Sequence, residues 1–583
     1  MPSLSGIHPG LFSSADKSPN AKFRANPSGN GRYRFGLDYT LLRVCLIGGL
    51  IGGGLCSPPT AHTPRLVIGI VIDQMRADYL RRFSYKRTGG FRRLMEEGLV
   101  YWNCHYTYFP TYTGPGHSSI YTGTTPAYHG IVANTWYERS LGRLYYCVAD
   151  TTVRSVGTSY PVGQRSPRTL WASTITDELR YASQFRSKVI GIALKDRAAI
   201  LPAGRAGNLA LWFDSRAGAW ITSSYYTDTL PSWVEQFNAQ RYPDSLLRLP
   251  WRLQHTRACS DESPHEGSIG GTTSFPHQPT SYEELVMTPA GNWLTFRLAQ
   301  IAIEAEKLGQ RQGITDFLAI SLSSPDLVGH IFGTESCEIE EMYQVLDRQL
   351  GEFLNYLTWR FRREEVLVFL TADHGAAPTP EALVEKGWNA GRYPEKALLA
   401  EAQAYLRSMM FLPDTLRPIE AFLNQSFYFA QGLSPAQRHE AATLLKHWLL
   451  RRAHITHVYT AEDLAGPGGS SYAFQMLQAG FLPARSGDLI VVYAPGWIEA
   501  EGYAVGTTHG SIWTYDTHIP LIWWGGGIRG GSIYTRVPIT AIASTLAFIL
   551  RTPLPSAAFT PPLQEVIEQW RLPRFDEEFH GGR

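Results

Sequence analysis

The sequence lacks the cysteine spacing of a structural zinc site. None of its six cysteines forms a Cys-x-x-Cys pair, and two of them, Cys45 and Cys56, lie near the N-terminus. Zinc sites built from cysteine normally use that close spacing, so the pattern argues against one here. The other four cysteines can form one or two disulfides in an oxidising compartment, with a pairing that the spacing leaves open: Cys104, Cys147, Cys259 and Cys337.

An excess of positive charge is also absent. The 53 lysines and arginines nearly balance 51 acidic residues, which leaves a formal charge of +2. Proteins that bind the phosphate backbone of nucleic acids normally carry a basic excess, so we expect no nucleic-acid partner. The hydrophobic and charged fractions, 44% and 18%, are those of a folded protein.

No apolar run near the N-terminus is long enough to span a bilayer. The run at residues 44–56 has 13 residues, whereas a spanning helix needs about 20. Its length suits the apolar part of a signal peptide, and Arg32, Arg34 and Arg43 precede it. We therefore expect a periplasmic or secreted protein, with a leader and linker at residues 1–63, a catalytic domain at 64–583 and no membrane span in the mature chain.

Three features of this leader stay open. The region before the apolar run is long for a signal peptide, so the true start codon can lie downstream of Met1. A buried core helix is the alternative for the run, although the polar linker at residues 57–63 favours removal. Cys56 is a candidate lipid anchor, which we place behind simple export because Leu55 before it is not a small residue.

Short apolar runs that precede polar residues predict the fold. They are, with the residue that follows, Leu66–Ile72 (Asp73), 189–194 (Lys195), 317–321 (Asp326), 366–370 (Asp373) and Leu489–Tyr493 (the segment with His509). Stretches of helical period at residues 293–308 and 342–361 lie between them. This alternation predicts an α/β fold with a doubly wound, mostly parallel central sheet flanked by helices. Ligands of such sheets collect beyond the carboxyl ends of the strands, where these polar residues are expected.

Two stretches depart from the alternation, at about residues 208–289 and 376–486. The first is rich in Tyr, Ser, Pro and His, and the second contains helix-like segments at 394–410 and 435–453. We interpret both as insertions that cap or wall the active site, where loop-borne specificity is common.

The polar residues at the strand ends are of the types that bind metal ions. Asp326 and His330 are spaced to share one helix face, and Asp373 is followed directly by His374. Asp73 closes the first strand, and His509 lies in a Gly-Thr-Thr-His-Gly-Ser segment. A single Asp or His in such a place is more often a structural residue, but four strand ends that each supply a ligand type favour a metal site.

A candidate nucleophile, Thr113, precedes a Gly-Pro-Gly sequence. We expect a tight turn at residues 114–116 and a helix from about His117, so that the hydroxyl lies near a helix N-terminus that favours phosphate oxygens. A helix-capping role for Thr113 is the structural alternative, and Thr111 is a competing hydroxyl. Lys195 and Arg197 follow another strand and can stabilise a transferring phosphoryl group, although a solvated charge cluster is an equal alternative.

These residues together resemble the alkaline phosphatase superfamily, and most closely its phosphate-irrepressible, PafA-like bacterial alkaline phosphatases. The resemblance covers about residues 65–551. Six blocks in the right order carry it: IVIDQMRADYL, PTYTGPGHSSIYTGTTPAYHGIVAN, IALKDRAAILPAG, SSPDLVGHIFG, TADHGA and GTTHGSIWTYDTHIPL.

The resemblance implies two Zn2+ per chain and an exported enzyme that hydrolyses small-molecule phosphate monoesters through a phosphothreonine intermediate. One zinc would be held by Asp326, His330 and His509, with His518 as the rival to His509. The implied residues of the other half of the site are Asp73, Asp373 and His374 as ligands of the second zinc, Thr113 as the nucleophile facing it, and Asn134, Lys195 and Arg197 as ligands of the phosphoryl oxygens.

Other functions use similar residues. A phosphodiesterase or phosphonate hydrolase would keep the same metals, and a non-catalytic relative would bind zinc or phosphate only. A cofactor-independent mutase is less consistent with export. The Cys/Ser-x-Pro-x-Arg element of the sulfatases is absent around Thr113. Zinc suits the Asp and His ligands, but manganese or iron stays possible.

Overall fold

The computed structural model describes residues 63–83, 89–254, 259, 265–413, 415–500, 502 and 504–571. The predicted leader and the candidate anchor Cys56 therefore lie outside the described residues. No helix in the described part of the chain is both long and apolar enough to cross a membrane.

The strands of the described residues are β1 Leu66–Ile72, β2 Leu99–His105, β3 Thr135–Glu138, β4 Arg143–Tyr146, β5 Ser155–Val156, β6 Val189–Ala193, β7 Leu209–Asp214, β8 Ala219–Ser223, β9 Asp316–Leu322, β10 Val366–Thr371, β11 Gly391–Tyr393, β12 Ile419–Leu423, β13 Ser426–Phe429, β14 Ile455–Thr460, β15 Leu489–Tyr493, β16 Trp497–Glu499, β17 His518–Gly525, β18 Gly531–Ile533 and β19 Val537–Pro538.

The α-helices are α1 Tyr79–Arg82, α2 Gly90–Glu97, α3 Thr113–Thr122, α4 Pro126–His129, α5 Ile175–Ala182, α6 Asp196–Ala203, α7 Ser232–Ala239, α8 Tyr242–Leu246, α9 Tyr282–Val286, α10 Pro289–Ala305, α11 Ser324–Phe332, α12 Cys337–Arg360, α13 Pro380–Glu385, α14 Glu395–Met409, α15 Pro435–Leu449, α16 Ala461–Ala465, α17 Tyr472–Gly480, α18 Thr514–Thr517, α19 Ala541–Leu550 and α20 Gln564–Arg571.

The central sheet has eleven strands in the order β18-β2-β17-β10-β1-β9-β6-β7-β8-β5, with β19 paired to β2. Its middle strands, β10, β1, β9, β6 and β7, run parallel, while β17 and β8 run against them. These five parallel strands are fully buried, because helices cover both faces of such a sheet. The predicted α/β fold with a mostly parallel sheet flanked by helices is confirmed.

Two parts of the predicted organisation need correction. The stretch expected as an insertion from about residue 208 begins with β7 and β8, which extend the central sheet. The apolar run Leu489–Tyr493 is a strand, β15, but it pairs with β13 and β14 in a separate four-stranded sheet. A fully apolar run indicates a strand buried on both faces and does not indicate which sheet contains it.

The second stretch, at about 376–486, contains most of this smaller sheet with α14 and α15 packed beside it. Its hydrophobic core includes Leu406, Phe427, Leu445 and Val491 and is distinct from the core around the central sheet. The smaller sheet therefore forms a second layer of structure, as an inserted module would.

Candidate active site

Two groups of metal-ligand side chains converge near the carboxyl ends of β1, β9 and β10. One group contains Asp326, His330 and His509, and the other contains Asp73, His117 and Asp373; within each group the ligand atoms lie within 4.8 Å of one another. The first group has the three residues that the sequence predicts. The second shares Asp73 and Asp373 with the prediction but contains His117 in place of His374.

The first group is assembled by helix α11 and by the loop before β17. Asp326 lies in the first turn of α11 and His330 one turn later, so that Asp326 Oδ1 and His330 Nε2 are 3.2 Å apart. His509 Nε2 lies 3.7 Å from the same oxygen. His509 reaches this edge because β17 is antiparallel to β10, so the loop that precedes β17 meets the carboxyl ends of the parallel strands.

The second group depends on neighbouring parallel strands. Asp73 follows β1 and Asp373 comes two residues after β10, and these strands are paired in register. Both carboxylates are fully buried. Ser321, on the adjacent strand β9, donates a hydrogen bond to Asp73 Oδ1 at 2.6 Å, which fixes the orientation of that carboxylate.

His117 is the site residue that sequence reasoning missed. It is fully buried in α3, with Nε2 at 3.5 Å from Asp73 Oδ1 and 3.8 Å from Asp373 Oδ2. Its position four residues after Thr113 places both side chains on one face of a helix. That spacing is visible in the sequence, but only if the helix is known to begin before His117.

His374 lies at the boundary between the two groups. Its Nε2 is 3.2 Å from Asp373 Oδ2 and 3.4 Å from Thr113 Oγ1. Its ring stacks on that of His509 with 3.4 Å between centroids. Burial lowers the pKa of His374, but the adjacent Asp373 outweighs burial and the pKa is raised. Burial, and then the charge of His374, hold the pKa of His509 well below its ordinary value.

The donor set fits divalent metal ions. The Nδ1 atoms of His330, His374 and His509 lie 2.7–2.9 Å from the backbone carbonyl oxygens of Thr507, Gly375 and Thr111. A carbonyl oxygen only accepts, so Nδ1 carries the proton and Nε2 presents its lone pair. Histidines that bind metals are oriented in this way, and imidazole with carboxylate ligands suits Zn2+.

Lys195 connects the two groups. Its ammonium lies 3.1 Å from Asp73 Oδ2 and also contacts Asp326 Oδ2. Burial would lower the pKa of Lys195, but Asp326 and Asp73 outweigh it and raise the pKa. Burial would raise the pKa of Asp326, yet His330 and Lys195 together hold that pKa well below its ordinary value. The recorded partners of Lys195 are thus ligand carboxylates, and its contact with a phosphoryl group stays a prediction.

Thr113 is the first residue of α3, and this corrects the expected helix start near His117. Pro115 and the glycines lie inside the first turn, where proline is tolerated because those N–H groups have no partner within the helix. Thr113 Oγ1 lies 3.4 Å from both His374 Nε2 and Arg197 Nη2. The rival hydroxyl of Thr111 instead donates to the Ser511 carbonyl at 2.9 Å.

The remaining predicted residues also lie close to Thr113, with one exception. Arg197 is held by Tyr146, whose hydroxyl accepts from Nη1 at 3.1 Å. Asn134 Oδ1 accepts from the Gly114 N–H at 2.7 Å, which leaves its NH2 group as the donor. The exception is His518, the rival to His509, which stacks on His105 and contacts the Trp102 carbonyl.

Known proteins share this sequence and fold. A family model described as type I phosphodiesterase / nucleotide pyrophosphatase matches residues 67–515. A protein of Myroides odoratus named calcium-transporting ATPase is 37% identical over 87% of this chain and 95% of its own. Alkaline phosphatase PhoV of Synechococcus elongatus is 38% identical over 88% of this chain and 94% of its own.

Alkaline phosphatase PafA of Elizabethkingia meningoseptica is 38% identical over 90% of this chain and 98% of its own. The crystal structure of wild-type PafA superposes with a TM-score of 0.82 at 37% identity, covering 87% of this chain and 99% of that one. The chain is therefore an enzyme of the alkaline phosphatase superfamily and belongs to its PafA-like alkaline phosphatases.

Proposed function

We propose that this enzyme hydrolyses phosphate monoesters of small molecules, with Thr113 as the nucleophile and two divalent metal ions, Zn2+ by preference, at the two ligand groups. The position of the Thr113 hydroxyl carries the proposal. It lies at the N-terminus of a ten-residue helix, 3.4 Å from both His374 Nε2 and Arg197 Nη2. A phosphate oxygen is favoured at a helix N-terminus, and a hydroxyl there is poised to reach phosphorus.

Asp326, His330 and His509 would hold one ion, and Asp73, Asp373 and His374 the other, with His117 packed against the second group. Ions bound there supply Lewis acidity, which lowers the pKa of a hydroxyl or water and neutralises charge on a leaving oxygen. In the first step a bond forms between Thr113 Oγ1 and phosphorus while the bond to the leaving alkoxide breaks. In the second step water attacks the phosphothreonine, and inorganic phosphate and free Thr113 result.

Arg197, Asn134 and Lys195 would bind the nonbridging oxygens. Arg197 is oriented before substrate arrives, since Tyr146 holds it and Asp196 accepts from the Tyr146 hydroxyl. Burial would lower the pKa of Arg197, but Tyr146 and Asp196 raise it, so the side chain stays charged. A fixed cation in a buried site stabilises the charge of a transferring phosphoryl group without reorganisation.

Export to the periplasm or the medium is part of the proposal. Cys259 and Cys337 form a disulfide, and disulfides persist mainly in oxidising compartments. The signal peptide predicted at residues 44–56 supports the same location, with Cys56 as an alternative lipid anchor. Cys104 and Cys147 are free and buried.

The test compares hydrolysis of p-nitrophenyl phosphate with that of bis-p-nitrophenyl phosphate, with metal content measured on the same samples. We expect a strong preference for the monoester, two zinc ions per chain and no turnover by Thr113→Ala. Thr113→Ser is the matched control, because it keeps a hydroxyl and should keep part of the activity. Residual monoester turnover by Thr113→Ala at the wild-type rate would refute the threonine nucleophile.

The family model named for phosphodiesterases favours one alternative, a diesterase with the same metals. Arg197 discriminates, because a dianionic monoester has one more charged oxygen to bind than a diester. We expect Arg197→Ala to reduce kcat/KM for the monoester at least tenfold more than for the diester. Equal losses on both substrates would remove this role from Arg197, and a wild-type preference for the diester would support the alternative.

A further inference from the structure

Gln74, the residue after Asp73, occupies a position that the proposed mechanism does not use. It is buried, with 3% of its surface exposed. Its backbone is left-handed, with φ of 64°. Residues other than glycine rarely adopt that conformation, and those that do are concentrated at functional sites where the surroundings hold them.

Two hydrogen bonds connect Gln74 to both ligand groups. Its backbone N–H donates to Asp373 Oδ1 at 3.0 Å. Its side-chain amide Nε2 donates to Asp326 Oδ1 at 2.9 Å. The two acceptors belong to different groups and lie 299 and 252 positions away in the sequence, so one residue spans the site.

Each bond fixes the rotation of a ligand carboxylate. Asp326 Oδ1, which accepts from Gln74, is also the oxygen that faces Nε2 of His330 at 3.2 Å and Nε2 of His509 at 3.7 Å. Asp373 uses Oδ1 for Gln74, while its Oδ2 faces His374 Nε2 at 3.2 Å. Carboxylates that bind metals are commonly held by such outer hydrogen bonds.

Helix α11 leaves space for this amide at one glycine. A Cβ atom at Gly329, between the ligands Asp326 and His330, would lie only 1.8 Å from Gln74 Oε1. The amide of Gln74 therefore packs directly on the helix turn that carries the first group. The close approach keeps Gln74 in the rotamer that reaches Asp326.

We propose that Gln74 is a positioning residue that sets the first ligand group relative to the second: its side chain holds Asp326 while its backbone holds Asp373. This inference rests on the proposed metal ligands. It predicts an asymmetry, because changing the side chain removes only the bond to Asp326. The ion at Asp326, His330 and His509 should then be lost more readily than the ion at the other group.

Three variants separate the amide from the backbone. Gln74→Ala removes the amide. Gln74→Asn keeps an amide and tolerates the left-handed conformation, but it is one methylene too short to reach Asp326 in the same way. Gln74→Gly removes the amide and relieves the backbone at once. All three keep the N–H group that donates to Asp373.

Zinc affinities are measured on the full-length protein by competition with a chromophoric chelator, together with the urea midpoint of each metal-free variant. We expect one of the two sites to bind zinc 10–100-fold more weakly in all three variants, and the other to change less than threefold. His330→Ala identifies the weakened site, because it removes a ligand from the first group alone. Adding Gln74→Ala to His330→Ala should leave the remaining site unchanged.

Wild-type affinity at both sites in Gln74→Ala would overturn the role of Gln74 and leave the proposed function intact. Equal weakening of both sites, in step with a lower urea midpoint, would overturn it in favour of a general folding role. A wild-type protein that binds no zinc, manganese or iron would overturn the metal assignment itself, and this inference with it.

Discussion

At the scale of single residues, hydrogen-bond partners decide which buried histidines can take up a proton. His129 is fully buried, accepts a hydrogen bond at Nδ1 from the Ile131 N–H and contacts the Ser119 hydroxyl with Nε2. This arrangement requires the neutral ring with its proton on Nε2. Burial, and then the charge of Arg485, lower the pKa of His129 to about 3 from an ordinary value of 6.5.

His129 should therefore contribute to acid sensitivity. In the unfolded chain it binds a proton below pH 6.5, whereas in the folded protein it stays neutral down to about pH 3, so stability falls as pH falls through this window. Between pH 7.5 and 4.5 the loss from this group is about 2–3 kcal/mol. Urea unfolding of wild type and of His129→Asn, which keeps an acceptor for the Ile131 N–H, measures the difference.

We expect His129→Asn to be less stable at pH 7.5 and to lose less of its unfolding free energy on acidification. Parallel losses in the two proteins would show that His129 titrates normally in the fold. His129 lies outside the ligand groups, so the comparison is best made on metal-free protein.

The individual site residues differ in how far the sequence could predict them. Asp326, His330 and His509 are ligand types at strand ends or at helical spacing, and they lie together as expected. His117 could not be assigned because its role depends on where α3 begins. Gln74 could not be found at all, since a neutral amide carries no chemical signature and its partners come from two distant segments.

At the scale of secondary-structure elements, the close packing of α3 against the loop after β10 sets the geometry around Thr113. A Cβ atom at Gly116 would lie 2.2 Å from the Asp373 carbonyl oxygen, so only glycine permits this approach. The same turn of α3 carries Thr113, and the same loop carries Asp373 and His374. The distance between nucleophile and ligands therefore depends on one missing methyl group.

Gly116→Ala should separate α3 from this loop. A shift of about 1 Å in a reacting group can lower kcat/KM about 100-fold, and we expect a loss of at least that size on p-nitrophenyl phosphate. Gly432→Ala is the control, because a Cβ atom there would meet only Leu416, at 3.7 Å. Retention of wild-type activity by Gly116→Ala would show that the loop can move away without cost to the site.

The elements of the central sheet were more predictable than their grouping into sheets. Apolar runs marked β1, β6, β9, β10 and β15 within one or two residues, because strands buried on both faces leave little room for polar side chains. The sheet that β15 joins is set by its pairing with β13 and β14, and pairing between distant strands is not encoded in the composition of one strand. The shorter strands β7 and β8 were missed for the related reason that their surroundings are rich in turns.

At the scale of the whole molecule, one disulfide joins distant parts of the chain. Cys259 and Cys337 are 78 residues apart in sequence, with 5.7 Å between Cα atoms. Cys337 is the first residue of α12, which packs on α11, the helix with Asp326 and His330. The segment between β8 and α10 is thereby fastened beside the first ligand group, a connection that cysteine spacing alone left open.

The chain-entropy description of crosslinks assigns a loop of this length a stabilisation of about 4 kcal/mol, because closure restricts the unfolded chain. We expect Cys259→Ser/Cys337→Ser to unfold at a lower urea concentration than oxidised wild type by an amount that approaches this value. A reductant should lower the wild-type midpoint to that of the double variant and leave the double variant unchanged, since Cys104 and Cys147 are free in the fold. If oxidised wild type and the double variant share one midpoint, the crosslink does not stabilise the native protein, and the structural support for an exported enzyme weakens with it.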